Sequence, residues 1–86
     1  MSQKAKLLEK IRNGPNNTTL EEILTLMNSF GFNQKKTRDG FKFWYPQVNG
    51  IFAYVARPHG REKKVLSVYV KGCLNAIDRI VNPEEM

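Results

Sequence analysis

His59 is the only histidine among the 86 residues, and it stands in a run of cations, with Arg57 before it and Arg61, Lys63 and Lys64 after it. Imidazole is the side chain whose ordinary pKa lies nearest neutrality. Neighbouring cations disfavour its charged form, which keeps it available as a neutral base. The same cations could hold a phosphate beside it. Such a set could cleave a phosphodiester by its own 2′-hydroxyl, a reaction that needs three things. These are a base at the hydroxyl, an acid at the leaving 5′-oxygen, and cationic donors for charge developing on the phosphate. The competing reading makes His59 a polar loop residue that hydrogen-bonds the backbone or one phosphate.

A second group begins earlier, in Thr37–Pro46, TRDGFKFWYP. Lys35, Lys36, Arg38 and Lys42 supply cations there, and Trp44 supplies a flat ring on which an unpaired base could stack. Trp44 could equally pack on a neighbouring strand or helix. Asp39 could assist a proton transfer, but aspartate beside glycine is first of all a turn residue.

Charge supports a polyanionic partner for both groups. Residues 1–34 carry +1, residues 35–64 carry +6 and residues 65–86 carry −1, so the whole surplus sits in the middle third. RNA or DNA fits such a block. Duplex RNA would be met through phosphates and 2′-hydroxyls across its minor groove. An acidic protein is the rival partner.

Composition narrows the classes further. A chain of this length closes one hydrophobic core, so a single domain over residues 1–86 is expected. One cysteine, Cys73, forms no internal disulfide, and its spacing with Val70, Leu74 and Ile77 predicts a buried thiol. No zinc-type spacing is present, and neither a metal nor a cofactor is expected. Leu7, Leu8 and Ile11 are interleaved with charges instead of forming a signal-type apolar run, and no stretch approaches the roughly 20 apolar residues of a membrane span. The expectation is a soluble, cytoplasmic protein.

The elements that must position these residues follow from periodicity. Lys4–Asn13 reads as a short helix stopped by Gly14-Pro15, with residues 1–15 an accessory unit. Thr18-Thr19-Leu20-Glu21 has the form of a capping box, with Thr18 as the cap. Leu20, Ile23, Leu24, Met27 and Phe30 then mark a second helix, closed by a left-handed Gly31 with Phe32 folding back. Asn33–Arg38 is predicted as a first strand and Asp39-Gly40 as a two-residue hairpin turn. In the second strand Phe41, Phe43 and Tyr45 face one way and Lys42 and Trp44 the other. After Asn49-Gly50, a third strand alternates Ile51, Ala53 and Val55 with Phe52 and Tyr54. Beyond the basic loop, Val65–Val81 could start as a strand, but from Ser67 the spacing of Val70, Cys73, Leu74, Ile77 and Val81 predicts a helix, capped by Ser67 and weakened at Gly72. Residues 82–86 read as a flexible tail.

The expected class is therefore α+β, a three-stranded antiparallel sheet with the second and third helices on one face. Its other face is left to solvent and is available for binding. Adjacent strands could merge the cations of the first hairpin and those after the third strand into one patch.

The order of these elements, together with Lys6-Leu7-Leu8-Glu9-Lys10, Thr18-Thr19-Leu20-Glu21-Glu22-Ile23, Phe30-Gly31-Phe32, Arg57-Pro58-His59-Gly60 and Val70-Lys71-Gly72-Cys73-Leu74, resembles the HicA family of bacterial toxin components. That resemblance implies a fold similar to double-stranded RNA-binding domains, α-β-β-β-α, with an added N-terminal helix. It also implies mRNA endoribonuclease (interferase) activity and a HicB-like antitoxin as protein partner. The family's catalytic histidine, in a Gly-Ser-His motif at the start of the second strand, corresponds here to Phe41 in Asp39-Gly40-Phe41. Phe41 moves no proton, so His59 is the remaining candidate base. The alternatives are an RNA-binding module without cleavage and a basic protein-interaction domain.

Overall fold

A computed structural model describes residues 3–58 and 63–81. Their order is helix α1 (Gln3–Asn13), a single 3-10 turn at Pro15–Asn17, helix α2 (Leu20–Ser29), strands β1 (Asn33–Lys36), β2 (Gly40–Trp44) and β3 (Phe52–Ala56), and helix α3 (Ser67–Val81). The strands form one antiparallel sheet in the order β1-β2-β3. The α+β class with a three-stranded antiparallel sheet is the one the sequence predicts.

Alternation along the strands decides which side chains meet the helices. Phe43 and Val55 are buried, with Phe41, Ala53 and Tyr45 packed against the core beside them. Helix α3 covers them with Val70, Cys73, Leu74, Ala76 and Ile77, and α2 adds Ile23, Leu26 and Met27. At roughly 1.5–3 kcal/mol for each large apolar side chain removed from water, this shared core is the main source of stability. Helix α1 joins it through Ile11, only 1% exposed, and is tied by ion pairs from Lys10 to Glu22 on α2 (2.6 Å) and from Arg12 to Asp78 on α3.

The end of α2 follows the expected chemistry. Gly31 has φ +88°, its N–H donates to the Asn28 carbonyl, and the Phe32 N–H donates to the Met27 carbonyl. Two carbonyls of the last turn are thereby satisfied. Phe32 is buried and meets the Tyr45 ring at 5.3 Å.

The start of α2 corrects the predicted register by one residue. The cap is Thr19, not Thr18: the Glu22 N–H donates to Thr19 Oγ1 at 3.2 Å, and the Thr19 N–H donates to Glu22 Oε1 at 3.0 Å. Both frames, Thr18-x-x-Glu21 and Thr19-x-x-Glu22, satisfy the same motif. Packing separates them. Thr18 is 2% exposed and its hydroxyl donates to the Gly14 carbonyl, which leaves it no role at the helix end.

The first hairpin is corrected as well. The β1–β2 turn is centred on Arg38-Asp39, with the Thr37 N–H donating to the Gly40 carbonyl and the Gly40 N–H donating to Thr37 Oγ1. Gly40 begins β2 and is not among the residues with positive φ. It is needed for a different reason: a β-carbon there would overlap the Val55 carbonyl oxygen and lie 2.9 Å from Ala56 Cα. The second turn does use left-handed geometry, at Gly50 with φ +91°.

Helix α3 begins at Ser67 as its first helical residue, so Ser67 is not the cap; the Leu66 carbonyl receives the N–H groups of Tyr69 and Val70. The residues before it keep a trace of the strand reading. Val65 donates to the Thr18 carbonyl, and Thr19 and Lys64 form an isolated antiparallel bridge. The residues from 82 onward, read from sequence as a tail, lie outside the described residues.

Candidate nucleic-acid interface

Among the described residues, no helix covers the sheet's second face. By register, Lys35, Lys42 and Tyr54 form one cross-strand row, and Asn33, Trp44 and Phe52 form the next. Neighbours within a row stand about 5 Å apart, and the two rows are roughly 7 Å apart along the strands. No carboxylate occupies any of these six positions.

Two large apolar side chains are exposed here, as Val48, Leu66, Val68 and Val81 are elsewhere. Phe52 is 70% exposed and Tyr54 is 38% exposed, whereas Trp44 is half-buried. Lys42, Trp44, Phe52 and Tyr54 line a shallow groove whose floor includes Phe43 and Ala53. Tyr54 is held by an edge-on contact with Tyr69 of α3, ring centres 5.9 Å apart. Helix α3 thus supports the open face from across the β3 edge.

The cations read from sequence lie at several places among the described residues. Lys35 and Lys42 lie on the open face. Lys36 pairs with Phe41, so it belongs to the helix-facing side, although β1 is an outer strand and Lys36 stays exposed. Arg38 is exposed in the hairpin turn, and the Arg57 N–H donates to the adjacent Asp39 carbonyl at 2.7 Å. Arg57 and Lys63 border a second hollow with Thr19, Leu20, Glu21 and Pro58, at the start of α2. Lys64 reaches Asn17 Oδ1 at 3.2 Å.

The start of α2 offers little to an anion. Its Leu20 N–H donates to the Lys63 carbonyl, its Glu22 N–H to Thr19 and its Ile23 N–H to the Thr19 carbonyl. Glu21 adds a negative charge at the rim. The Leu20 and Glu22 donors, which would bind a phosphate at a bare helix terminus, are thus already used.

His59 and Arg61, the predicted base and one of its neighbouring cations, lie outside the described residues. Phe41, at the position where the resemblance places a histidine, pairs with Val55 and packs against the core. Cys73 is fully buried, and that burial pushes its thiol up to about 12, which keeps it protonated and inert at neutral pH. Among the described residues no three His, Cys, Asp or Glu side chains gather as a metal site, and no helix is long and apolar enough to cross a membrane.

Phe52 and Tyr54 are candidate site residues that sequence reasoning missed. Their signal was present, since Phe52 and Tyr54 alternate with the core residues Ile51, Ala53 and Val55 and must point the opposite way. Only the β2–β3 register places them beside Trp44 and Lys42. No protein-family model, no curated protein and no solved structure matches this chain.

Proposed function

We propose that this chain binds RNA and is a HicA-like toxin component, working with a HicB-like antitoxin whose acidic groups complement its cations. The observation that carries the binding part is the helix-free sheet face, where Lys35 and Lys42 lie in register with Trp44, Phe52 and Tyr54 and no carboxylate intervenes. A basic middle third of +6 supports the same reading. Lysines neutralise phosphates, and aromatic rings offer surfaces to bases. The toxin part rests on the family resemblance alone.

Cleavage, in this reading, is assigned to His59 as the base at the 2′-hydroxyl. A second reading, an RNA-binding module with no cleavage step, is favoured by Phe41, which replaces the family's histidine with a group that carries no proton. A third, a basic domain that meets only an acidic protein, predicts no affinity for RNA.

Two measurements separate these readings. The affinity of labelled RNA, followed from 50 to 300 mM salt, should fall with a log–log slope of roughly −0.7 to −0.9 per neutralised phosphate. A flat response or no binding would overturn both RNA readings. Labelled cellular mRNA is then incubated with the protein and with His59→Ala, with and without EDTA. Products from the parent and none from the variant support cleavage by His59, whereas intact RNA with both proteins supports the module.

A further inference from the structure

Phe52 is the most exposed of the large apolar side chains among the described residues, at 70%, and it stands on the sheet face opposite the one that α2 and α3 cover. Trp44 is its direct cross-strand neighbour, and Tyr54 and Lys42 form the adjacent row. We infer that this face binds an unpaired RNA strand, with bases stacked on Phe52 and Trp44 and phosphates held by Lys35 and Lys42. The inference deepens the RNA-binding reading above and rests on it.

The form of the RNA follows from what each side chain can meet. In a duplex the base faces are stacked on one another and the groups in reach are phosphates and 2′-hydroxyls. Aromatic rings on an open sheet face would find nothing there to stack on, and their exposure would serve no contact. An unpaired strand presents every base face, and every base has one, so stacking needs no particular sequence. An antiparallel sheet with rings on adjacent strands is a known geometry for holding two or three such bases. Here two rings share a row and a third stands one row away, a separation of roughly 7 Å.

Charge selects RNA over an apolar protein segment as the occupant. Positions 35 and 42 carry ammonium groups, position 33 carries an amide, and no acidic side chain offsets them. A helix or strand from a protein would have to desolvate both lysines or provide carboxylates for them. A phosphate chain supplies its negative charge at every nucleotide.

The test uses a labelled, unstructured 12-nucleotide RNA, free and annealed to its complement, with the parent protein, Phe52→Ala and Lys35→Ala. Because Trp44 is the only tryptophan, its intrinsic fluorescence is read in parallel with unlabelled strand. The single strand should bind at least about tenfold more tightly than the duplex and quench Trp44. Phe52→Ala should weaken the single strand by about 5- to 150-fold, the range for one lost base stack, while changing duplex binding little. Phe52 is exposed, so this variant folds, and an unchanged circular dichroism spectrum checks it. Equal affinity for both forms, no quench of Trp44, or a Phe52→Ala variant that binds single strands like the parent would each overturn the inference while leaving RNA binding in place. Failure of the parent to bind either form would instead overturn the RNA-binding reading itself.

Discussion

Gly40 lies directly against the Val55 carbonyl, with no room between the two backbones for a β-carbon. That approach joins β2 to β3 at the end of the sheet where the Arg57 N–H also reaches the Asp39 carbonyl. Neither the carbonyl nor Ala56 Cα, 2.9 Å from the added carbon, is the tip of a side chain that can turn away. Gly40→Ala is therefore expected to destabilise the fold by about 2 kcal/mol or more, the upper part of the range for overpacking. A urea midpoint unchanged from the parent would contradict this geometry.

Gly72 should behave in the opposite way. It sits inside α3, exposed, with nothing within 4 Å of an added β-carbon. Gly72→Ala is expected to stabilise the protein by about 0.5–1 kcal/mol, because alanine loses less backbone entropy on entering a helix. Thermal and urea unfolding of the variant measure it, and a loss of stability would show that the position is not open helix surface.

Thr19 and Thr18 should also separate. Thr19→Ala removes the cap of α2 and is expected to cost about 1 kcal/mol, with Thr19→Asp retaining most of the stability. Thr18→Val keeps the side-chain shape but leaves the Gly14 carbonyl without its hydroxyl donor, at a cost of about 1 kcal/mol. Hydrogen exchange should distinguish the two, with protection lost at the start of α2 in the first variant and around the 3-10 turn in the second.

Acid should weaken the α1–α2 contact. The Glu22 carboxylate is held below its ordinary pKa of 4.5, chiefly by its hydrogen bond from Lys10 and next by the Thr19 N–H. A depressed carboxylate pKa contributes stability that is complete above 4.5 and is lost as pH falls through the lower folded value. The Lys10 side chain is 70% exposed, so solvent screening keeps this contribution below about 1 kcal/mol. Lys10→Met should raise the Glu22 titration midpoint seen by carboxyl NMR and flatten the acid limb of the stability curve. An unmoved midpoint would assign the depression to the helix cap alone.

Lys35 and Lys36 are adjacent in sequence and opposite in the sheet. If RNA occupies the open face, Lys35→Ala should weaken it a few-fold and reduce the salt slope by about 0.7, one phosphate's share for a single strand. Lys36→Ala, on the helix-facing side of β1, should leave both nearly unchanged. Equal losses from the two variants would mean that the strand wraps around the β1 edge.

Much of this molecule was readable before folding because its signals are local. The spacing of Ile23, Met27 and Phe30, the left-handed Gly31, and the alternation around Phe43 and Val55 each depend on a few neighbouring residues. Chemistry near one residue sufficed for the helices, the strands and the predicted burial of Cys73. Local signals failed where two frames fitted equally, as at Thr18 and Thr19, or where the reason for a residue lay elsewhere in the chain, as at Gly40. The open sheet face belongs to that second kind. Strand pairing alone set Phe52 beside Trp44 and Tyr54 beside Lys42, and it decided that Lys35 and not Lys36 shares their face, because alternation only separates adjacent residues while register fixes which neighbours each one meets.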